Sequence, residues 1–131
     1  MSFETLETLP DLEIYVKLDR LEPIEQWLTA HFGGLTAVRS KGRTRTLTAM
    51  WQDAAVEIFL CRDAGHTGFS SVTFSRKDIP WHHDVDCARA ACQALGVDIR
   101  CSESAWTEGD DPDLWYSVTP QGESRIVWKT D

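Results

Sequence analysis

Asp63-Ala64-Gly65-His66-Thr67-Gly68-Phe69-Ser70-Ser71-Val72-Thr73-Phe74-Ser75 is the stretch that decides how the rest of the chain is read. Its first six residues are small or polar with two glycines, the composition of a connector. After it Val72 and Phe74 alternate with Ser71 and Thr73, the period of two expected of a half-buried strand. A strand that restarts behind a mid-chain connector prompts a comparison of the elements on either side.

Upstream, Leu12, Ile14, Val16 and Leu18 alternate with Glu13, Tyr15 and Lys17 and predict a strand. A helix follows from about Pro23, with Ile24, Trp27, Leu28, His31 and Phe32 on one face and Gly33-Gly34 as its stop. Three strands are expected next, at about 35–40, 44–51 and 54–61, parted by turns at Lys41-Gly42 and Gln52-Asp53. Downstream, a helix from Pro80 places Trp81, Val85, Ala88, Cys92 and Leu95 in one apolar stripe and ends at Gly96. Strands are expected at about 97–102, 114–118 and 124–129, the last two joined by Thr119-Pro120-Gln121-Gly122.

Each half therefore reads βαβββ, with modules at about 11–62 and 69–130 of one domain. The predicted fold is α+β: two such modules forming a curled mixed sheet with helices on its outer face. The alternative is a ferredoxin-like α+β arrangement with a single sheet. The doubled order, the Thr119-Pro120-Gln121-Gly122 turn before the last strand and the helix running into Leu95-Gly96-Val97 resemble the vicinal-oxygen-chelate superfamily of glyoxalases, bleomycin-resistance proteins and extradiol dioxygenases.

That resemblance implies a cleft lined by the first and last strands of each module. The alternation places Glu13, Tyr15, Glu57 and Phe59 there, with Ser71, Thr73, Arg125 and Val127 as the matching positions of the second module. Metal-dependent members bring ligands from these strands. Two carboxylates and no histidine make a poor set for zinc, nickel or iron, so neither a metal nor any other cofactor is expected. His83 and Cys87, four apart on the second helix, offer one face of a metal site with His82 beside them, but no third ligand can be named.

The chain of 131 residues has 13 basic and 21 acidic side chains and a net charge of -8, with acids in excess in both halves. That balance repels phosphate backbones and disfavours nucleic acid. Apolar runs are far short of a membrane span, and the acidic first ten residues lack the features of a signal peptide, so a cytoplasmic protein with no membrane partner is expected. Cys61, Cys87, Cys92 and Cys101 lack metal-motif spacing and read as small buried hydrophobes in a reducing compartment.

Six tryptophans are a surplus for this length. Trp27 and Trp81 belong to helix core faces, whereas Trp106 lies within, and Trp115 just after, a segment, 103–113, with five acids and no base. Carboxylates interleaved with aromatic faces can receive an ammonium or guanidinium group. Arg39, Lys41, Arg43 and Arg45 form an opposite, basic tip, suited to turn solvation, to cross-strand pairing or to contact with the acidic region of a second copy in a homodimer.

Three functions follow. The first is non-enzymatic binding of a cationic or aromatic small molecule by Glu13, Tyr15, Glu57 and Phe59, with Trp106 or Trp115 at the rim, as in bleomycin-resistance proteins. The second is an acidic interaction or immunity module for a basic protein partner. The third is a metal-independent isomerase or lyase with Glu13 or Glu57 as general base. A concave aromatic pocket favours the first, and a flat face the second.

Overall fold

The computed structural model describes residues 12–64, 68–75, 81, 83–102 and 114–127. Ten elements follow in order: β1 (Leu12–Val16), α1 (Glu22–His31), β2 (Gly33–Lys41), β3 (Thr44–Trp51), β4 (Ala54–Cys61), β5 (Ser70–Phe74), α2 (Asp84–Leu95), β6 (Ile99–Ser102), β7 (Leu114–Thr119) and β8 (Gly122–Val127). The eight strands form one sheet in the order β2-β3-β4-β5-β1-β6-β7-β8.

Every neighbouring pair in this sheet is antiparallel, and among the described residues the sheet is open, with β2 and β8 at its ends. The expected mixed and curled sheet is corrected accordingly. Tight turns fold β2-β3-β4 and β7-β8 into antiparallel hairpins, and the two helical connections carry the chain over intervening strands instead of creating a parallel neighbour. Because β5 and β6 both run antiparallel to β1, they are parallel to each other with β1 between them. With α2 they make a split β-α-β unit, the single-sheet element of the ferredoxin-like alternative.

The strand pattern follows from burial on one face. Leu12, Ile14 and Val16 of β1, Val56, Ile58 and Leu60 of β4, and Val72 and Phe74 of β5 join α1 and α2 in one apolar cluster. Burying each large aliphatic side chain contributes roughly 1.5–3 kcal/mol. The helices supply Ile24, Trp27 and Leu28 from α1 and the small residues Cys87, Ala88, Ala91 and Cys92 from α2. Small residues on α2 let its backbone lie close to the strands beneath it. Trp81 stacks on Trp27 at 5.3 Å between ring centroids and ties the segment before α2 to α1.

Element boundaries depart from the sequence pattern in physically clear ways. The second helix starts at Asp84, so Trp81 precedes it and is buried in the core from outside the helix. Gly96, in the left-handed conformation at φ 69°, ends α2 as expected, with its N–H donating to the Cys92 carbonyl at 2.8 Å. After α1 the strand begins at Gly33 itself, because Phe32 already takes an extended conformation at the helix end. The four cysteines are free thiols; Cys87 and Cys101 are fully buried. Burial pushes the Cys87 thiol well above its ordinary range. Among the described residues no helix is long and apolar enough to cross a membrane.

The β3–β4 hairpin closes on the Trp51↔Ala54 pair through Gln52 and Asp53, both at positive φ (49° and 66°). A two-residue turn of this kind suits Asn-Gly, whereas a side chain such as glutamine resists the left-handed region by about 1–2 kcal/mol. Replacing Gln52→Asn together with Asp53→Gly is expected to raise stability by about 1 kcal/mol. In urea unfolding the midpoint should move up with an unchanged slope, and an unmoved or lower midpoint would contradict the turn geometry.

Candidate functional site

Cross-strand register assigns the candidate residues to a face. Directly opposed residues share a side of an antiparallel sheet. Glu13 is opposite Thr73, which is opposite Phe59, which is opposite Thr46, so these four form a row across β1, β5, β4 and β3. The next row runs Tyr15, Ser71, Cys61 and Thr44, and on the other side of Tyr15 it continues through Arg100, Ser117 and Ser124. All lie on the face opposite the helix-side core. Glu13, Tyr15, Glu57, Phe59, Ser71 and Thr73 are therefore on the face expected from the alternation.

Arg125 and Val127 are not. Arg125 is opposite Tyr116, whose hydroxyl donates to Glu123 Oε1 at 2.8 Å, and the same carboxylate takes two hydrogen bonds from Arg89 of α2. The set Tyr116, Glu123, Arg125 and Val127 thus lies on the α2 side. The final strand starts at Gly122, two residues before the expected place, but parity, fixed by pairing with β7, is what decides the face. Trp106 lies outside the described residues, as does His82. Trp115 is described and half-buried, with its ring edge-to-face on Tyr15 at 5.4 Å.

This face changes character along the sheet. Over β3 and β4 it is open: Phe59 is 41% exposed, Met50 is 46% exposed, and Glu57 is exposed. Over β5, β1 and β6 its side chains are buried or half-buried. Phe69 is buried there without joining the helix-side cluster, and the Arg100 guanidinium lies 4.7 Å from its ring centroid. Arg100 also donates to Asp98 at 3.1 Å, and the Ser117 hydroxyl donates to the other oxygen of that carboxylate at 2.9 Å. Ser71 and Ser117 are buried on the same face.

Phe69, Asp98, Arg100 and Ser117 were not singled out from the sequence. The signal for them was present, because Asp98 and Arg100 alternate with Ile99 and Cys101, which face the core.

Glu13 sits at the border between the buried and the exposed regions. Its carboxylate is half-buried and accepts a hydrogen bond from the Thr73 hydroxyl at 3.3 Å. Burial pushes its pKa above the ordinary glutamate value, the Thr73 hydrogen bond works against that shift, and the charge of Asp84 adds to it. Tyr15 is also pushed up, first by burial and then by the negative charges of Glu13 and Cys61.

Glu57 is one two-residue step along the sheet from the Glu13 row and two strands across. Spacings of about 4.8 Å between strands and about 7 Å per two residues put the two Cα atoms about 12 Å apart. The two acids share a face without converging on one point.

Other features of the described residues do not gather the predicted groups. Two adjoining grooves of about 350 and 250 Å³ run along α1 against the β2–β3 hairpin, both lined by Glu22, Glu25 and Arg45. Arg45 pairs with Glu25 at 3.0 Å, and Arg43 donates to the Asp63 carbonyl at 3.1 Å, so half of the basic tip is engaged within the chain. His83 is exposed, whereas Cys87 is fully buried on the core side of α2, so the two do not present one ligand face. No group of three His, Cys, Asp or Glu side chains among the described residues could hold a metal ion. No protein-family model, curated protein or solved structure matches this chain.

The raised pKa of Glu13 gives a signed pH dependence. The folded protein keeps this proton at a pH where the unfolded chain, with a glutamate near about 4.3, has lost it, so Glu13 lowers stability as pH rises through that window. Glu13→Gln should therefore melt above the parent by a margin that grows from pH 3.5 to pH 7. Thr73→Val, which removes the hydrogen bond favouring the charged form, should lose stability over the same range. A margin that stays constant across pH in thermal melts would show that Glu13 is solvated like a surface acid.

Proposed function

We propose that this chain is a protein-interaction module that receives a basic, extended segment of a partner protein on the sheet face opposite its helices. The observation that carries this reading is the flat stretch over β3 and β4, where Phe59 and Met50 are exposed beside Glu57 and the row leads to Glu13. Exposed apolar side chains bordered by carboxylates and the hydroxyls of Thr44, Thr46, Thr48 and Thr73 suit a partner that buries an aliphatic or aromatic residue while its cations meet the acids. The about 12 Å between Glu13 and Glu57 matches cations four apart on an extended strand, about 13 Å. Arg39 and Lys41, on the β2 end of the same face, repel such a segment and direct it toward β4 and β1.

A second reading rests on a different observation, the Tyr15–Trp115 ring pair beside the half-buried Glu13 carboxylate. That notch suits an aromatic cation held by ring faces and one carboxylate, the binding expected from the vicinal-oxygen-chelate resemblance. Support for that kinship is the element order, in which βαβββ occurs twice and the first strands of the two runs, β1 and β5, lie side by side with Ile14 opposite Val72. On the proposed reading those runs are two modules of one unit. The acidic composition and the expected reducing compartment make a cytoplasmic partner the natural one.

Fluorescently labelled decapeptides with lysines four apart and a central phenylalanine provide the test, against controls with the lysines adjacent. Binding in the micromolar range that weakens at least tenfold with Glu57→Lys or Phe59→Asp, and that weakens with added salt, is the expected result. Absence of binding up to millimolar peptide would overturn the interaction reading. If small aromatic cations instead quench tryptophan fluorescence in a manner abolished by Glu13→Gln and untouched by Glu57→Lys, the second reading takes its place.

A further inference from the structure

β2 changes parity partway along its length. Thr36 lies opposite Thr48 and Ala37 opposite Leu47, but after a bulge Arg39 lies opposite Thr46 and Lys41 opposite Thr44. In an unbroken ladder Val38 and Ser40 would occupy those two places, and the two cations would turn to the helix side. A bulge adds one residue to its strand and re-aims the side chains beyond it. Here it brings Arg39 and Lys41 onto the face that carries Glu57 and Phe59, with Arg39, Thr46 and Phe59 in one row. Arg39, Lys41, Glu57 and Phe59 are all exposed, and the side chains of Arg39, Lys41 and Glu57 have no hydrogen-bond or ion-pair partner among the described residues.

This face is therefore basic over β2 and acidic from β4 to β1, with the threonines of β3 between, and such a surface is complementary to itself. We infer that the partner it receives is a second copy of this chain, the two sheets packing face to face about a two-fold axis parallel to β3, so that β2 of each copy lies over β4 of the other. The inference rests on the basic-segment reading of this face and names the segment, which is β2 of the second copy.

A two-fold in this direction leaves positions along the strands unchanged. Arg39 comes over the second copy's Phe59 ring, with the second copy's Glu57 one two-residue step, about 7 Å, along the same strand. Sheets packed face to face stand about 10 Å apart. Across that gap the guanidinium meets a ring face and a carboxylate together, and symmetry repeats the contact. Thr44, Thr46 and Thr48 meet their counterparts near the axis, where small side chains leave room for the larger pairs on either side. A two-fold running across the strands would instead lay β2 on β2 and gather four cations, so charge selects the axis. Three strands over about 25 Å of their length cover roughly 400 Å² per copy, about half of what each partner buries in a stable interface. The dimer is accordingly weak and sensitive to salt.

Sedimentation velocity of the full chain from 5 to 500 µM tests the inference, with far-ultraviolet circular dichroism and thermal unfolding verifying that each variant folds. The parent is expected to dimerise toward the upper concentrations and to dissociate as salt is raised. Arg39→Glu and Glu57→Lys each set like charges against one another at both contacts, and each should weaken the dimer at least tenfold. An equimolar mixture of the two variants restores opposite charges at both contacts and should associate where neither does alone. A parent that stays monomeric at 500 µM overturns the inference, as does a dimer that both variants preserve or a mixture that remains monomeric. Decapeptides with lysines four apart, titrated at 5 µM protein where the copies are separate, distinguish this failure from that of the interaction reading. Peptide binding by a chain that does not dimerise excludes the second copy and leaves the face as a partner surface, whereas loss of both removes both.

Discussion

The pairing of β1 with β5 is the constraint on which the rest of the structure depends. Five successive residues, Leu12 to Val16, lie opposite Phe74 to Ser70 at the centre of the sheet. This register turns Leu12, Ile14, Val16, Val72 and Phe74 to the helices and Glu13, Tyr15, Ser71 and Thr73 to the other face. A slip by one residue would bury Glu13 under α2 and expose Ile14, at a cost of several kcal/mol for the aliphatic side chains alone. Every further strand inherits its parity from this pair through the ladders on either side.

The two faces solve different packing problems. On the helix side the core is apolar and continuous, and aromatic rings join its parts: Trp27 on Trp81, Phe32 against Trp51 and Phe74. On the other side, around β5, β1 and β6, lies a polar and aromatic set in which Arg100 bridges Phe69 and Asp98. Pairing with Asp98 and contact with a ring face compensate for the guanidinium's loss of water. The face is thus buried around its centre and exposed over β3 and β4.

Charge within the chain is arranged locally despite the excess of acids. Arg89 clamps α2 to β8 through Glu123 and lies 3.7 Å from Asp86 one turn away on its own helix. Hydrogen bonds from Arg89 and then from Tyr116 hold the Glu123 carboxyl below its usual range, and the bond to Glu123 raises the Tyr116 hydroxyl above its own. Arg45 fastens β3 to α1 through Glu25. These pairs are solvent-accessible, so their role is to fix the position of the helices over the sheet more than to add stability.

Much of this was determined by the sequence alone. The alternation in 12–18 and 69–75, the glycine after the second helix and the turn residues between strands are local signals, and local sterics and burial read them directly. They were enough to establish an α+β chain, the order of its elements and the face on which Glu13, Tyr15, Glu57 and Phe59 lie. Sheet order was decided only in the tertiary structure, because pairing β1 with β5 and β6 joins segments tens of residues apart that no local pattern links.

The same holds for the faces of Arg125 and Val127, which depend on pairing with β7, and for the Arg100–Asp98–Ser117 set, whose members meet only when β6 and β7 are side by side. The openness of the sheet is likewise a property of its edges. Alternation specifies which side of a strand is buried, but how many strands pair, and whether the last meets the first, is fixed by the summed packing of both helices on all eight.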